Sequence, residues 1–177
     1  MAHLSPPPLQ PTTDINLQSF NDWCPIDHPA PFVCTLRIGP DDLSQIVEHV
    51  SNIEYVRWLD RAAELHADAL GYTREQLLSE QRMWFVARHE IDYMAETWLD
   101  DELILATWVR SFRKVKTWRD YVVLRPSDQT IICKAATLWV LVDLNTRRPC
   151  RFDADMIQRF QPLHTEDTQP TTTSSMP

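Results

Sequence analysis

One amphipathic helix stands in a chain that otherwise reads as strands. From Asn52 to Leu70 the apolar positions recur at helical spacing: Tyr55, Val56, Leu59, Ala62, Ala63, His66 and Leu70 form one stripe. Glu54, Arg57, Arg61, Glu64 and Asp68 fall largely on the other side. Gly71 follows, where a left-handed C-cap belongs. A helix apolar on one side must lie on another apolar surface, and the remaining sequence offers a sheet. Phe32–Ile38 is β-prone and ends at the turn signal Gly39-Pro40-Asp41-Asp42. Thr73 is placed to cap a short helix over about 73–79. Strands are then predicted over Arg82–Tyr93, Glu102–Phe112, Lys116–Arg125 and Ile131–Leu144. A last short helix, Asp153 to Phe160, starts with Asp153 as N-cap. Strand, long helix, then four antiparallel strands with short turns define an α+β domain with the helix on one face of the sheet.

Proline placement sets the boundaries. Of 13 prolines, seven lie at or before Pro31 and three after Phe160, so the central chain is nearly free of them, as regular structure requires. Residues 1–28 are expected to form an extended Pro-rich arm, residues 29–163 the folded domain, and residues 164–177 a disordered tail rich in Thr, Ser and Gln. The net charge of −8 disfavours a nucleic-acid binder but leaves room for small anions at a local basic patch. The start of the chain lacks the pattern of a signal peptide, and no uncharged apolar run is long enough to span a membrane. Cys24, Cys34, Cys133 and Cys150 make neither a CxxC pair nor a zinc pattern. Free thiols, no metal and a cytoplasmic setting are the expectation.

The segment with chemical content begins the long helix: His49-Val50-Ser51-Asn52-Ile53-Glu54-Tyr55, continuing through Arg57-Trp58-Leu59-Asp60 and Ala62-Ala63. It resembles the hot-dog thioesterases, which include 4-hydroxybenzoyl-CoA thioesterases and plant acyl-carrier-protein thioesterases. One branch carries a His-Val-Asn-Asn-x-x-Tyr motif at this place. Ile91-Asp92-Tyr93, Asp101-Glu102-Leu103, Thr137-Leu138-Trp139-Val140, Val142-Asp143 and Arg147-Arg148-Pro149 resemble later strands and turns of the family. The resemblance covers about residues 32–162. It implies a hot-dog fold, an antiparallel sheet wrapped around one long central helix. It also implies hydrolysis of an acyl-CoA or acyl-carrier-protein thioester. It further implies a homodimer or dimer of dimers with the site between subunits, and no cofactor beyond the coenzyme A or phosphopantetheine of the substrate.

The sequence also departs from the family. The usual aspartate ten residues before the helix tyrosine is Gln45, the second aspartate two residues earlier is Leu43, and the asparagine of the plant branch is Val47. Thioester hydrolysis needs a donor for the developing oxyanion and a base for water. The family's backbone amide donor maps onto Asn52, at a helix start where N–H groups lack intrahelical partners. For the base, histidine has the right intrinsic range, about 6.5, and His49 stands in the motif. Glu48 is the nearest carboxylate in sequence and could act directly or orient His49; Gln45 could position the water. Tyr55 and Trp58 are candidates for substrate contact or for packing, and an acyl pocket is expected to be walled by Trp58, Met83 and Phe85. Arg110, Arg113, Lys114, Lys116 and Arg119 form a basic run that could meet coenzyme A phosphates or an acidic carrier protein. The Gln45 and Leu43 replacements keep open an alternative, a hot-dog protein that binds acyl or aromatic ligands without hydrolysing them.

Overall fold

The computed structural model describes residues 8–20, 22–24 and 26–164. The strands are β1 (Gln10–Pro11), β2 (Phe32–Arg37), β3 (Arg82–Tyr93), β4 (Glu102–Arg113), β5 (Lys116–Arg125), β6 (Thr130–Asp143) and β7 (Arg148–Pro149). The helices are α1 (Asn52–Ala69), α2 (Arg74–Ser79) and α3 (Ala154–Phe160). All strand pairs are antiparallel, in the order β1-β2-β4-β5-β6-β3, with β7 on β6. Strands β4, β5 and β6 follow one another through tight turns and pair with their neighbours, as short connections dictate. By contrast, β2 and β3 stand on opposite sides of this meander, so the connection between them, which contains α1, must cross a sheet face.

The stripe on α1 is what meets that face. Tyr55, Trp58, Leu59 and Ala62 share a buried cluster with Leu103 and Leu105 of β4, Tyr121 and Val123 of β5, and Cys133 of β6. The predicted caps are in place. Gly71 has φ +87°, Thr73 accepts from the Gln76 N–H, and Asp153 accepts from the Met156 N–H. Register shifts at Val86/Arg88, Val109/Ser111 and Val123/Leu124 add local twist that helps the sheet curl. Glu54, expected on the polar side, is buried in the first turn, where its carboxylate accepts from Arg57 at 2.6 Å. That ion pair makes burial tolerable so close to the helix end.

The sheet is covered on its other face too. Ile104, Ala106 and Trp108 of β4 and Val122 and Leu124 of β5 pack with Phe20 and Cys24. The cover is the N-terminal arm, which brings Ile15, Leu17, Phe20, Trp23, Cys24 and Ile26 onto this face. Gln10 and Pro11 pair with Cys34 and Thr35, and His28 Nε2 lies 2.8 Å from the Gln161 carbonyl. With both faces covered, Leu103 through Val109 are all buried, which is why this part of β4 is apolar at every position but Thr107, whose hydroxyl donates to the Asp120 carbonyl. The expected disordered tail lies outside the described residues apart from His164.

Candidate active site

The start of α1 is anchored from two sides. Leu43 and Val50 form an antiparallel bridge, closing 44–49 into a protruding loop. The Val50 N–H donates to the Thr97 carbonyl, and the Ser51 N–H to the Asp42 carbonyl. Thr97 belongs to the β3–β4 loop, and its hydroxyl lies 2.8 Å from the Tyr55 hydroxyl. Arg125 clamps the same loop, donating to the Glu96 carbonyl at 3.0 Å and to the Asp101 carboxylate at 2.7 Å. Ser51, the N-cap, makes no side-chain capping bond; its carbonyl accepts from the Glu54 N–H at 2.9 Å, and the Asn52 and Ile53 amides at the helix start are left for another acceptor.

Beside these amides sits His49. Its Nδ1 is buried without a hydrogen bond, and the nearest carboxylate is Glu96, Oε1 at 3.9 Å. The imidazole side chain is 32% exposed, so another edge of the ring reaches solvent. Glu48 is the nearest carboxylate in sequence, expected to act directly or to orient His49; the carboxylate 3.9 Å from the ring is that of Glu96. Glu48 and Gln45 are exposed on the 44–49 loop, and among the described residues no hydrogen bond or ion pair joins either to His49. Asn52 is exposed at the helix start, and its carbonyl accepts from the Tyr93 hydroxyl at 3.4 Å. Glu96 carries no sequence signal tying it to His49, because the two loops are brought together by contacts between residues far apart in the chain, the Val50–Thr97 backbone bond among them.

The other predicted contacts divide. Tyr55 and Trp58 are buried in the helix–sheet core, and neither lines the cavity that lies farther along α1. That cavity, of about 430 Å³, is bounded by Ala63, Ala67, Met83, Val109, Phe112 and Phe160. Of the expected acyl wall, Met83 lines it; Phe85 instead stands 46% exposed on the sheet edge. The basic run is not one patch. Alternation and the β4–β5 turn separate it: Arg110 pairs with Asp120, Arg119 is buried against His66, and Arg113, Lys114 and Lys116 sit exposed at the turn. That turn lies at the C-terminal end of α1, roughly 27 Å from Asn52 for an 18-residue helix. No cysteine is poised as a nucleophile: burial pushes Cys34 and Cys133 up to about 12 and raises Cys24 and Cys150.

A curled antiparallel sheet carrying α1 in the connection between non-neighbouring strands is a hot-dog fold. The model of the acyl-ACP thioesterase N-terminal domain matches residues 43–160, and the chain belongs to that family. It is 27% identical over 139 residues to the acyl-CoA thioesterase YbgC of Haemophilus influenzae, covering 78% of this chain and 98% of that one. It is 26% identical over 121 residues to the chloroplastic oleoyl-acyl carrier protein thioesterase of Coriandrum sativum, covering 64% of this chain and only 31% of that protein. Its fold is similar to that of Slr0204, a 1,4-dihydroxy-2-naphthoyl-CoA thioesterase from Synechocystis. The TM-score is 0.69 at 14% identity, over 76% of this chain and 98% of that one.

Proposed function

We propose that this chain hydrolyses a thioester carried on coenzyme A or an acyl-carrier protein at the start of α1, with His49 as base and Glu96 as its orienting carboxylate. The observation that carries this is the juxtaposition of the Asn52 and Ile53 amides at the helix start with a half-exposed imidazole whose Nδ1 faces a carboxylate. With its Nδ1 proton directed at Glu96, the ring has Nε2 free to accept a proton from water. The hydroxide equivalent attacks the thioester carbon, and the Asn52 N–H receives the oxyanion. Collapse breaks the C–S bond, and the imidazolium returns its proton to the leaving thiolate. Gln45, exposed on the loop, serves as a water-positioning side chain. The chemistry needs no metal and no cofactor beyond the pantetheine of the substrate. Relatives that act on acyl-CoA and on acyl-carrier protein both support the substrate class.

The same reading gives a homodimer joined along β3, an edge strand whose other side has no partner among the described residues and whose Phe85, Val86 and Tyr93 are exposed. A monomer by sedimentation at micromolar concentration would remove the dimer. Free cysteines, three of them buried, support a reducing, cytoplasmic setting. Thiol release from a panel of acyl-CoAs and acyl-carrier proteins tests the activity. His49→Ala should lower kcat/KM by about 10²–10⁴ and Glu96→Gln by a smaller factor. Gln45→Ala at the native rate removes Gln45 from the mechanism, and turnover no faster than buffer with both donors overturns the reading.

A further inference from the structure

A buried cation faces the apolar cavity behind α1. Arg119 is 4% exposed and lines that cavity. One guanidinium nitrogen, Nη1, lies 2.9 Å from His66 Nδ1 and 3.2 Å from the Thr107 hydroxyl. Both are neutral partners, since burial and the neighbouring cation push His66 down to about 2. Phe160 sits under the guanidinium at 5.7 Å. Among the described residues no carboxylate comes within ion-pair distance of Arg119. Trp139 lines the same cavity, with its indole N–H beside the Tyr121 hydroxyl. An unpaired buried charge is among the costliest features a fold can keep, and replacing it with an apolar side chain is often stabilising. The other cavity arginine, Arg74, differs: it sits at the surface with Glu64 at 2.7 Å.

From this geometry we infer that the cavity is a binding site for the carboxylate of an apolar acid, with Arg119 as the anion-binding residue. A guanidinium presents a fork that matches a carboxylate in two parallel hydrogen bonds, and the low dielectric strengthens them. The apolar part of the wall, Ala67, Met83 and Phe112 among it, suits a hydrocarbon chain; Asp60, Glu64 and Asp68 also line the cavity, Glu64 paired with Arg61 and Arg74, and the volume is that of a small-molecule pocket. The carboxylate has two possible sources: the far end of an ω-carboxyacyl thioester, or a free fatty acid. The site stands without the thioesterase reading; only the first source rests on it.

Calorimetric titration of the full chain at pH 8 with octanoate and with 1-octanol tests the site. Octanoate should bind at least about tenfold more tightly, and Arg119→Met should abolish that advantage. Ala67→Phe, which fills the cavity and leaves Arg119 in place, should lose octanoate binding and decides the matter if Arg119→Met does not fold. Equal binding of acid and alcohol, an advantage that survives in Arg119→Met, octanoate binding retained in Ala67→Phe, or no binding at all each overturns the inference. Hydrolysis of suberyl-CoA and octanoyl-CoA then separates the sources. A KM raised about tenfold in Arg119→Met for suberyl-CoA alone marks the acyl terminus. Relief of octanoate inhibition marks the free acid. If neither thioester is cleaved yet octanoate binding depends on Arg119, the hydrolase reading fails and the carboxylate site stands.

Discussion

At the scale of single residues, burial decides what the polar side chains along α1 can do. His66 lies on the buried stripe, stacked on Phe32 at 5.0 Å and accepting from Arg119 through Nδ1. Desolvation first, and the Arg119 charge second, push it down to about 2, so it stays neutral in the folded protein. The unfolded chain protonates near 6.5 and binds more protons below that pH, so this group's contribution to stability is lost as pH falls from 6.5 toward 2. Between pH 7 and pH 5 the loss from His66 alone is at most about 2 kcal/mol. Urea unfolding at the two pH values should show that decline, and His66→Asn, which keeps an acceptor but cannot charge, should flatten it. An unchanged slope in the variant assigns the acid sensitivity elsewhere. His66 was legible as a core histidine because it falls on the stripe. Glu96 was not legible as the neighbour of His49, since no periodicity links a loop after β3 to the start of α1.

At the scale of elements, the β3–β4 loop is the piece on which the site depends. It presents Glu96 to His49 and Thr97 to both Val50 and Tyr55; its backbone is held by Arg125, which donates to the Glu96 carbonyl, and by Asp101, which accepts from the Trp98 N–H. Arg125 binds Asp101 at 2.7 Å and Asp128 at 2.9 Å, and these bonds raise its pKa further. Arg125→Met should therefore loosen the loop while leaving the helix–sheet core intact. The expected outcome is a kcat reduced about tenfold, a Tm lowered by only a few degrees, and faster hydrogen exchange across 94–101. Native kcat with exchange unchanged would show that the loop holds itself. Sequence reading found the major strands within a residue or two because turn residues bracket each one: Pro126-Ser127-Asp128 after β5, Asp100-Asp101 before β4. It missed β1, because a two-residue strand ending in a proline has no period to detect, and the proline is tolerated there because β1 is the sheet edge.

At the scale of the whole molecule, the N-terminal arm completes the fold. One helix covers one face of the sheet; the opposite face carries Ile104, Ala106, Trp108, Val122 and Leu124, too apolar to meet water. Phe20 and Cys24 are buried there, with Ile15, Leu17, Trp23 and Ile26 packed against them. Each large apolar side chain removed from water contributes about 1.5–3 kcal/mol, and a domain of this kind has about 5–15 kcal/mol in all. Losing four or five such contacts together consumes most of that margin. Phe20→Ala alone should cost about 3 kcal/mol in urea unfolding. Deleting residues 1–28 should leave a chain that binds a hydrophobic dye and aggregates at room temperature, although α1, His49 and Glu96 are untouched. The single substitution separates cover from catalysis: Phe20→Ala should keep native kcat/KM at 15 °C while its Tm falls by several degrees. If the deleted chain melts within a few degrees of the full one, the outer face does not need its cover. If Phe20→Ala loses turnover without losing stability, the arm acts on the site and not on the sheet.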